Sequence, residues 1–288
     1  MNYDEFKQQV GELTEDQLQQ FVQNLGVIDT LTAAVSYAIF PAGKRIRPLL
    51  ALACCHDLGG DYNALVKPAS AIELLHASSL IHDDLPALDN DDFRRGRPSC
   101  HRQFGEATAI LAGDLLIAAA FKQLSSVRIS PLQESALTAM LAQAFVDVCH
   151  GQQRDLIKGE QRGSLDLLHR LKTGALFRVS MQFGTIISGI NQVNSERLAD
   201  YGEMLGIYFQ IIDDLIDLKG NEEQKGRPSG SDQRNHRETY GSGEQQQLEF
   251  KRQTLRDQLE ELISTVENEL SLRMGLVRNI FEQIDGTI

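Results

Sequence analysis

Gln210, Asp213, Asp214 and Asp217 occupy i, i+3, i+4 and i+7, one stripe of a helix. The surrounding run, 204–218, is otherwise mostly Leu, Ile, Tyr and Phe. A surface helix carries an apolar stripe on a polar rod. This run inverts that pattern, so it is expected to be buried on most sides, with its carboxylates facing an internal cavity. Carboxylates held that close repel and are driven towards protonation unless cations neutralise them. Oxygen-rich clusters of this kind suit Mg²⁺ shared with phosphate oxygens.

A second cluster lies earlier: His82-Asp83-Asp84-Leu85-Pro86-Ala87-Leu88-Asp89-Asn90-Asp91-Asp92. Asp89 lies six residues after Asp83, about 240° around a regular helix, off the Asp83 face. Pro86 should interrupt the helix between them, and a break there can return Asp89 to the side of Asp83. His76, Ser79 and Asp83 share one face (i, i+3, i+7). An Asp-rich run can equally be a solvated turn, and Asn90 fits one. Neither cluster has the Gly and Glu positions of an EF-hand loop.

Two basic clusters accompany the acidic ones: Gly43-Lys44-Arg45-Ile46-Arg47-Pro48 and Arg94-Arg95-Gly96-Arg97-Pro98. Arg binds phosphate through two parallel N–H groups, and Lys acts as a point charge. Each alone could be a solvated patch. Beside carboxylates suited to Mg²⁺ they become candidates for binding a diphosphate. There is no Walker A motif and no GxGxxG, so nucleotide-type phosphate loops are not supported. Lys172 and Thr173 precede an apolar run; the alternative is that Thr173 bonds the preceding turn and Lys172 lies along apolar surface. Gln152 and Asp155 stand at i, i+3, a spacing that says nothing by itself.

The elements that must position these residues read as helices. Apolar spacing near 3.6 recurs, and period-2 alternation is scarce. Pro68 could occupy the first turn of a helix running towards Asp83, and Ser130-Pro131 could open another. Residues 219–243 are polar and glycine-rich and read as a long mobile loop. Helical spacing resumes after it, with Leu248, Leu255, Leu259 and Leu262 as core candidates. No linker divides the 288 residues, so a single all-α domain over 1–288 is expected. With 42% hydrophobic and 24% charged residues the profile is globular. A formal charge of −12 argues against a nucleic-acid-binding surface. The four cysteines include no CxxC, so no zinc site or disulfide framework is indicated. The polar, acidic start shows no secretory signal, and apolar runs such as 115–121 fall short of a membrane span. A cytoplasmic protein with no transmembrane segment is the expectation.

Taken together, these motifs resemble the trans-type isoprenyl diphosphate synthases, particularly bacterial farnesyl and geranylgeranyl diphosphate synthases. The resemblance covers nearly the whole chain, through the two basic clusters, both Asp clusters, Gly113-Asp114, Gly151-Gln152 with Asp155, Lys172-Thr173-Gly174 and Phe209-Gln210. It implies a helical bundle around a deep central cavity (the isoprenoid synthase fold), usually in a homodimer. It implies condensation of isopentenyl diphosphate with dimethylallyl, geranyl or farnesyl diphosphate. Three Mg²⁺, with Mn²⁺ as an alternative, would be held mainly by Asp83, Asp89 and Asp213. Asp217 would complete that metal set, nearer to a supporting role, as would Asp84. Arg94 would stabilise departing pyrophosphate. Lys172, Thr173 and Gln210 would flank the allylic diphosphate and cation, with Asp214 among the catalytic groups. Lys44, Arg47, His76 and Arg95 match the isopentenyl diphosphate site.

This sequence departs from the family in two places. Arg227 and Arg237 stand where the loop after the second Asp motif usually carries lysines, and Gly241 replaces a proline after Tyr240. A looser lid and slower catalysis are expected. Ser78 and Ser79, five and four residues before Asp83, would shape the cavity floor. A small residue at 78, where bacterial farnesyl synthases usually have an aromatic, favours geranylgeranyl diphosphate; farnesyl diphosphate is the alternative product. A non-catalytic partner subunit and a terpene synthase are the remaining alternatives.

Overall fold

The first helix, α1 (Tyr3–Gln23), opens on a reciprocal cap. Asn2 Oδ1 accepts from the Glu5 amide, and Glu5 Oε2 accepts from the Asn2 amide. The structure is a computed structural model that describes residues 2–27, 29–125, 129–157, 164–218 and 245–287, with backbone only at 217 and 218. The expected loop over 219–243, with Arg227 and Arg237, lies outside the described residues.

Asp29 caps α2 (Thr30–Ile39), and α3 (Ile46–Asp57) follows a left-handed Arg45. Next comes α4 (Tyr62–Asp83), apolar on nearly every face, with Leu65, Ile72, Leu74, Leu75 and Ile81 all buried. A helix apolar all round belongs inside, and α4 packs against α1, α2 and α3 and against three helices later in the chain (Glu106–Leu124, Pro131–Leu156 and Ala175–Ser188). Each fully buried Leu or Ile contributes about 1.5–3 kcal/mol against about 1 kcal/mol for a cap, so packing of α4 dominates its own end effects. The helix starts earlier than Pro68 suggested. Asp61 accepts from the Asn63 amide at 3.1 Å, and Pro68 sits inside the helix, buried, at the cost of one backbone hydrogen bond.

Two short strands, β1 (Phe93–Arg94) and β2 (Arg97–Pro98), pair antiparallel with Arg94 opposite Arg97. Arg95 and Gly96 between them have φ of 54° and 75°, the left-handed pair a two-residue hairpin requires. The chain continues through α5 (Cys100–Phe104), α6 (Glu106–Leu124) and α7 (Pro131–Leu156), the last opened by Ser130 with Pro131 in first position. Next, α8 (Leu165–His169) runs through a π-helical turn, Arg170–Gly174, into α9 (Ala175–Ser188). It ends with α10 (Gln192–Leu218), α11 (Gln245–Leu270) and α12 (Gly275–Asp285). One apolar core extends from Phe6 to Ile284, and a small cluster of Ile211, Leu215 and Leu248 joins α10 to α11.

Among the described residues α6 is the one helix long and apolar enough to cross a membrane, with mean hydropathy 1.4. Runs of consecutive apolar residues understated it, because Thr108, Gly113 and Asp114 interrupt them. It packs along α4, and 44% of its apolar stretch is buried.

Asp57, at the end of α3, caps α12 from far away. Its Oδ2 accepts from the amides of Leu276 at 2.9 Å and Val277 at 3.0 Å. Burial pushes its carboxyl up to about 7, against the opposing pull of those two amides. The folded chain therefore prefers the protonated form more than the unfolded chain does. That contribution to stability is full below about pH 4 and is lost as the pH rises through about 7. Asp57→Asn should flatten the loss of melting temperature between about pH 5 and pH 8. Equal slopes for parent and variant in thermal melts would exclude Asp57 as the titrating group.

Candidate active site

A cavity of about 430 Å³ lies between α4, α7, α9, α10 and the start of α3. Asp83 and Asp89 line one side, and Asp213 and Asp214 line another. The break at Pro86 performs the return that the spacing required. Regular helix ends at Asp83, the Leu88 amide donates to Leu85 O, and the Asp89 amide donates to Asp83 O at 2.8 Å. Asn90 closes the turn with φ 52°. Gln152 of α7 then donates to Asp89 Oδ1 at 3.1 Å.

The α10 stripe faces the cavity as its inverted pattern implied. Tyr201, Leu205, Tyr208, Ile211, Ile212 and Leu215 on its other faces are buried, while Gln210, Asp213 and Asp214 line the cavity. Gln210 Nε2 donates to Asp214 Oδ1 at 3.1 Å, and Thr173 Oγ1 donates to Gln210 Oε1 at 3.3 Å. The Asp217 side chain lies outside the described residues.

Lys172 and Thr173 are sequence neighbours, yet both line the cavity. Successive residues on a regular helix point about 100° apart. The π-helical turn carrying them widens the coil, as such bulges do at functional sites. Two glycines make room for it. A Cβ on Gly151 would lie 2.5 Å from the Lys172 amide nitrogen, and one on Gly206 would lie 2.7 Å from Gly174 Cα. Lys172 Nζ pairs with Asp155 Oδ2 at 2.7 Å, instead of lying along apolar surface.

The basic residues gather at the side formed by α3 and the 93–98 hairpin. Lys44, Arg47, His76, Arg94 and Arg95 all line the cavity. Lys44 Nζ stands 5.4 Å from the Phe209 ring centroid, and the Arg47 guanidinium 5.2 Å from that of Phe177. Burial lowers the pKa of Arg47 and of Arg95. Burial first, and then Arg47, Arg95, Arg94 and Arg45, hold His76 well below its ordinary value, so it is a neutral hydrogen-bonding group at pH 7. Asp84 turns away from the cavity. It is 2% exposed and receives Arg94 Nε at 3.1 Å and Arg94 Nη2, so it orients the guanidinium.

Ser79 lines the cavity, and its hydroxyl donates to His76 O at 2.9 Å. Ser78 lies behind that surface, fully buried, its hydroxyl without a partner. Three further residues matter that spacing alone did not single out. Asp155 lines the cavity and holds Lys172. Glu73 lines it too and receives Arg45 Nη1 at 2.7 Å. Arg45 also pairs with Glu15 of α1 at 2.7 Å. Glu73 precedes His76 by three residues on the α4 face, a signal available in the sequence; the Arg45 pairing with α1 had none.

Every acidic donor here is a carboxylate oxygen, the ligand type of hard divalent cations. Among the described residues no three His, Cys, Asp or Glu groups converge to enclose one ion. Mg²⁺ takes one or two carboxylates and completes its shell with water and substrate phosphate. The cavity therefore pairs acids that need shared cations with a basic side able to hold a second phosphate group.

The family pattern described as polyprenyl synthetase matches residues 28–273. The farnesyl diphosphate synthase of Geobacillus stearothermophilus is 39% identical over 249 residues, 83% of this chain and 84% of that one. A farnesyl/geranylfarnesyl diphosphate synthase (FPP/GFPP) structure from Zymomonas mobilis superposes with TM-score 0.79 at 32% identity, covering 97% of this chain and 100% of that one. A Helicobacter pylori geranyltransferase, solved with magnesium and isoprenyl diphosphate, superposes with TM-score 0.78 at 26% identity over 96% of each chain. With carboxylates on two sides of one cavity and this breadth of similarity, the chain belongs to the polyprenyl synthetase family of isoprenyl diphosphate synthases.

Proposed function

We propose that this chain extends allylic diphosphates with isopentenyl diphosphate, in one domain spanning 1–288, to a product of twenty carbons. The observation that carries this reading is the meeting of both Asp clusters and the basic side in one cavity. The allylic diphosphate would sit between Asp83, Asp89 and Asp213, with Asp217 in support. Bound Mg²⁺, three ions in this reading, supplies charge neutralisation for the leaving diphosphate. The magnesium and isoprenyl diphosphate of the Helicobacter pylori neighbour support this. Lys172 and Arg94 donate to the diphosphate oxygens as the C–O bond ionises. Thr173 and Gln210 present neutral oxygens to the allylic cation, and Asp214 fixes the Gln210 amide. Lys44, Arg47, Arg95 and neutral His76 hold isopentenyl diphosphate, whose double bond attacks the cation. The proton then lost goes to a pyrophosphate oxygen. Asp83→Ala and Asp213→Ala should each lower turnover about a thousandfold, the scale of losing a preorganised electrostatic stabiliser. Near-normal rates in both would refute the assignment.

The longer product rests on two small residues, Ser79 lining the cavity and Ser78 buried outside its lining. Ser78→Tyr should shorten the product towards fifteen carbons. Chromatography showing only farnesyl diphosphate from the parent enzyme would contradict this reading.

The cytoplasmic location expected from the sequence and the homodimer expected from the resemblance belong to the same proposal. On α6 the exposed residues Ala107, Ile110, Leu111, Asp114 and Ala118 form a largely apolar stripe, and α7 adds exposed Leu132, Ala139 and Val146. Leu111→Glu should shift the parent dimer to monomer in light scattering without loss of helical signal. An unchanged mass would place the interface elsewhere.

A further inference from the structure

The last turn of α2 ends in carbonyls that the helix itself cannot satisfy. Arginines from two separate segments supply the donors. Arg97 Nη2 donates to Tyr37 O and to Phe40 O. Arg45 Nη2 donates to Ile39 O at 2.8 Å, and Arg95 Nη1 donates to Pro41 O at 3.1 Å. Cations suit this end of the helix because its dipole is negative there.

Arg97 ties the hairpin to α2 in a second way. Its guanidinium lies 3.7 Å from the centroid of the Tyr37 ring, and Tyr37 OH donates back to Pro98 O at 2.8 Å. Tyr37 is itself fixed by edge contact with Phe104 at 5.2 Å. Arg97 is absent from the residues lining the main cavity, so this pairing acts on phosphate only through what it carries. It carries two things. On one side is the hairpin tip, where Arg95 is held in a left-handed conformation. On the other is the segment leading to Lys44, whose Gly43 packs so close that an added Cβ would lie 3.0 Å from Arg95 Nη2.

We propose that Arg97 and Tyr37 form a clamp that sets the spacing between Lys44 and Arg95, and so act as positioning residues for the homoallylic diphosphate. This rests on the reading that Lys44 and Arg95 bind isopentenyl diphosphate. Neither clamp residue lines the cavity, and Arg94, which faces Arg97 across the hairpin, is held separately by Asp84, so the allylic substrate should sense the loss far less.

The test compares KM values for isopentenyl diphosphate and geranyl diphosphate in four purified variants. Arg97→Ala should raise the isopentenyl KM about tenfold, the scale of one charge-assisted hydrogen bond, and leave the geranyl KM within about twofold. Tyr37→Phe removes one hydroxyl and keeps the ring, so folding is preserved; it should raise the same KM about threefold. Arg97→Lys, with one donor centre in place of a planar fork, should recover only part of the loss. Arg95→Ala is the control for the site itself. If Arg95→Ala raises the isopentenyl KM while Arg97→Ala and Tyr37→Phe do not, the clamp is overturned and the site reading stands. If Arg95→Ala leaves it unchanged, both fall. Equal rises in both KM values for Arg97→Ala would also overturn the clamp, since general loosening of the fold predicts that result.

Discussion

Carboxylates that share a cavity repel one another, and the molecule must offset that repulsion. Asp83, Asp89, Asp155, Asp213 and Asp214 border the same space. The surroundings supply each of three with a donor: Gln152 to Asp89, Lys172 to Asp155, and Gln210 to Asp214. Asp84, behind the cavity, receives Arg94, yet burial outweighs that pairing and raises its pKa. Gln152 and Gln210 sit on regular helices, whereas other parts of the set depend on irregular elements. The π-helical turn aims Lys172 and Thr173 together, and the break at Pro86 folds Asp89 back onto Asp83. The regular helices provide the frame and the Gln210–Asp214 stripe, and the remaining groups occupy places where regularity fails.

Charge is sorted within the cavity as well as balanced. The basic side rests on an aromatic pair, Phe177 and Phe209, whose ring centroids are 5.7 Å apart. Lys44 and Arg47 face those rings, and Glu73 faces Arg45. Cations held by ring faces and by one shared carboxylate keep N–H groups available for a ligand. A net charge of −12 conceals this arrangement, because it averages two opposed patches.

Much of this was legible in the sequence wherever the information was local. The polar stripe of α10 depends only on helical period, and the return of Asp89 follows from Pro86 and residue counting. The all-helical architecture follows from recurring apolar spacing. Pairings between distant elements were illegible. Arg45 with Glu15 joins two segments thirty residues apart that nothing but packing brings together. The π-helical turn was hidden because an extra residue in one coil leaves no mark on apolar periodicity. The β-hairpin read as a run of arginines, although Arg95-Gly96 is a two-residue turn in hindsight. Pro68 misled the helix boundary because burial of α4 outweighs one missing hydrogen bond.

The cap that Asp57 provides for α12 also bears on how the chain is assembled. Its two hydrogen bonds span 219 and 220 residues of sequence, and Tyr3 reaches Gln283 across 280. Contacts of such separation are slow to form, because a long loop must close before they repay its entropy. During synthesis, α1 and α3 emerge long before the helix that completes them. Until then their surfaces remain uncovered, and a nascent chain is exposed to aggregation for most of its elongation.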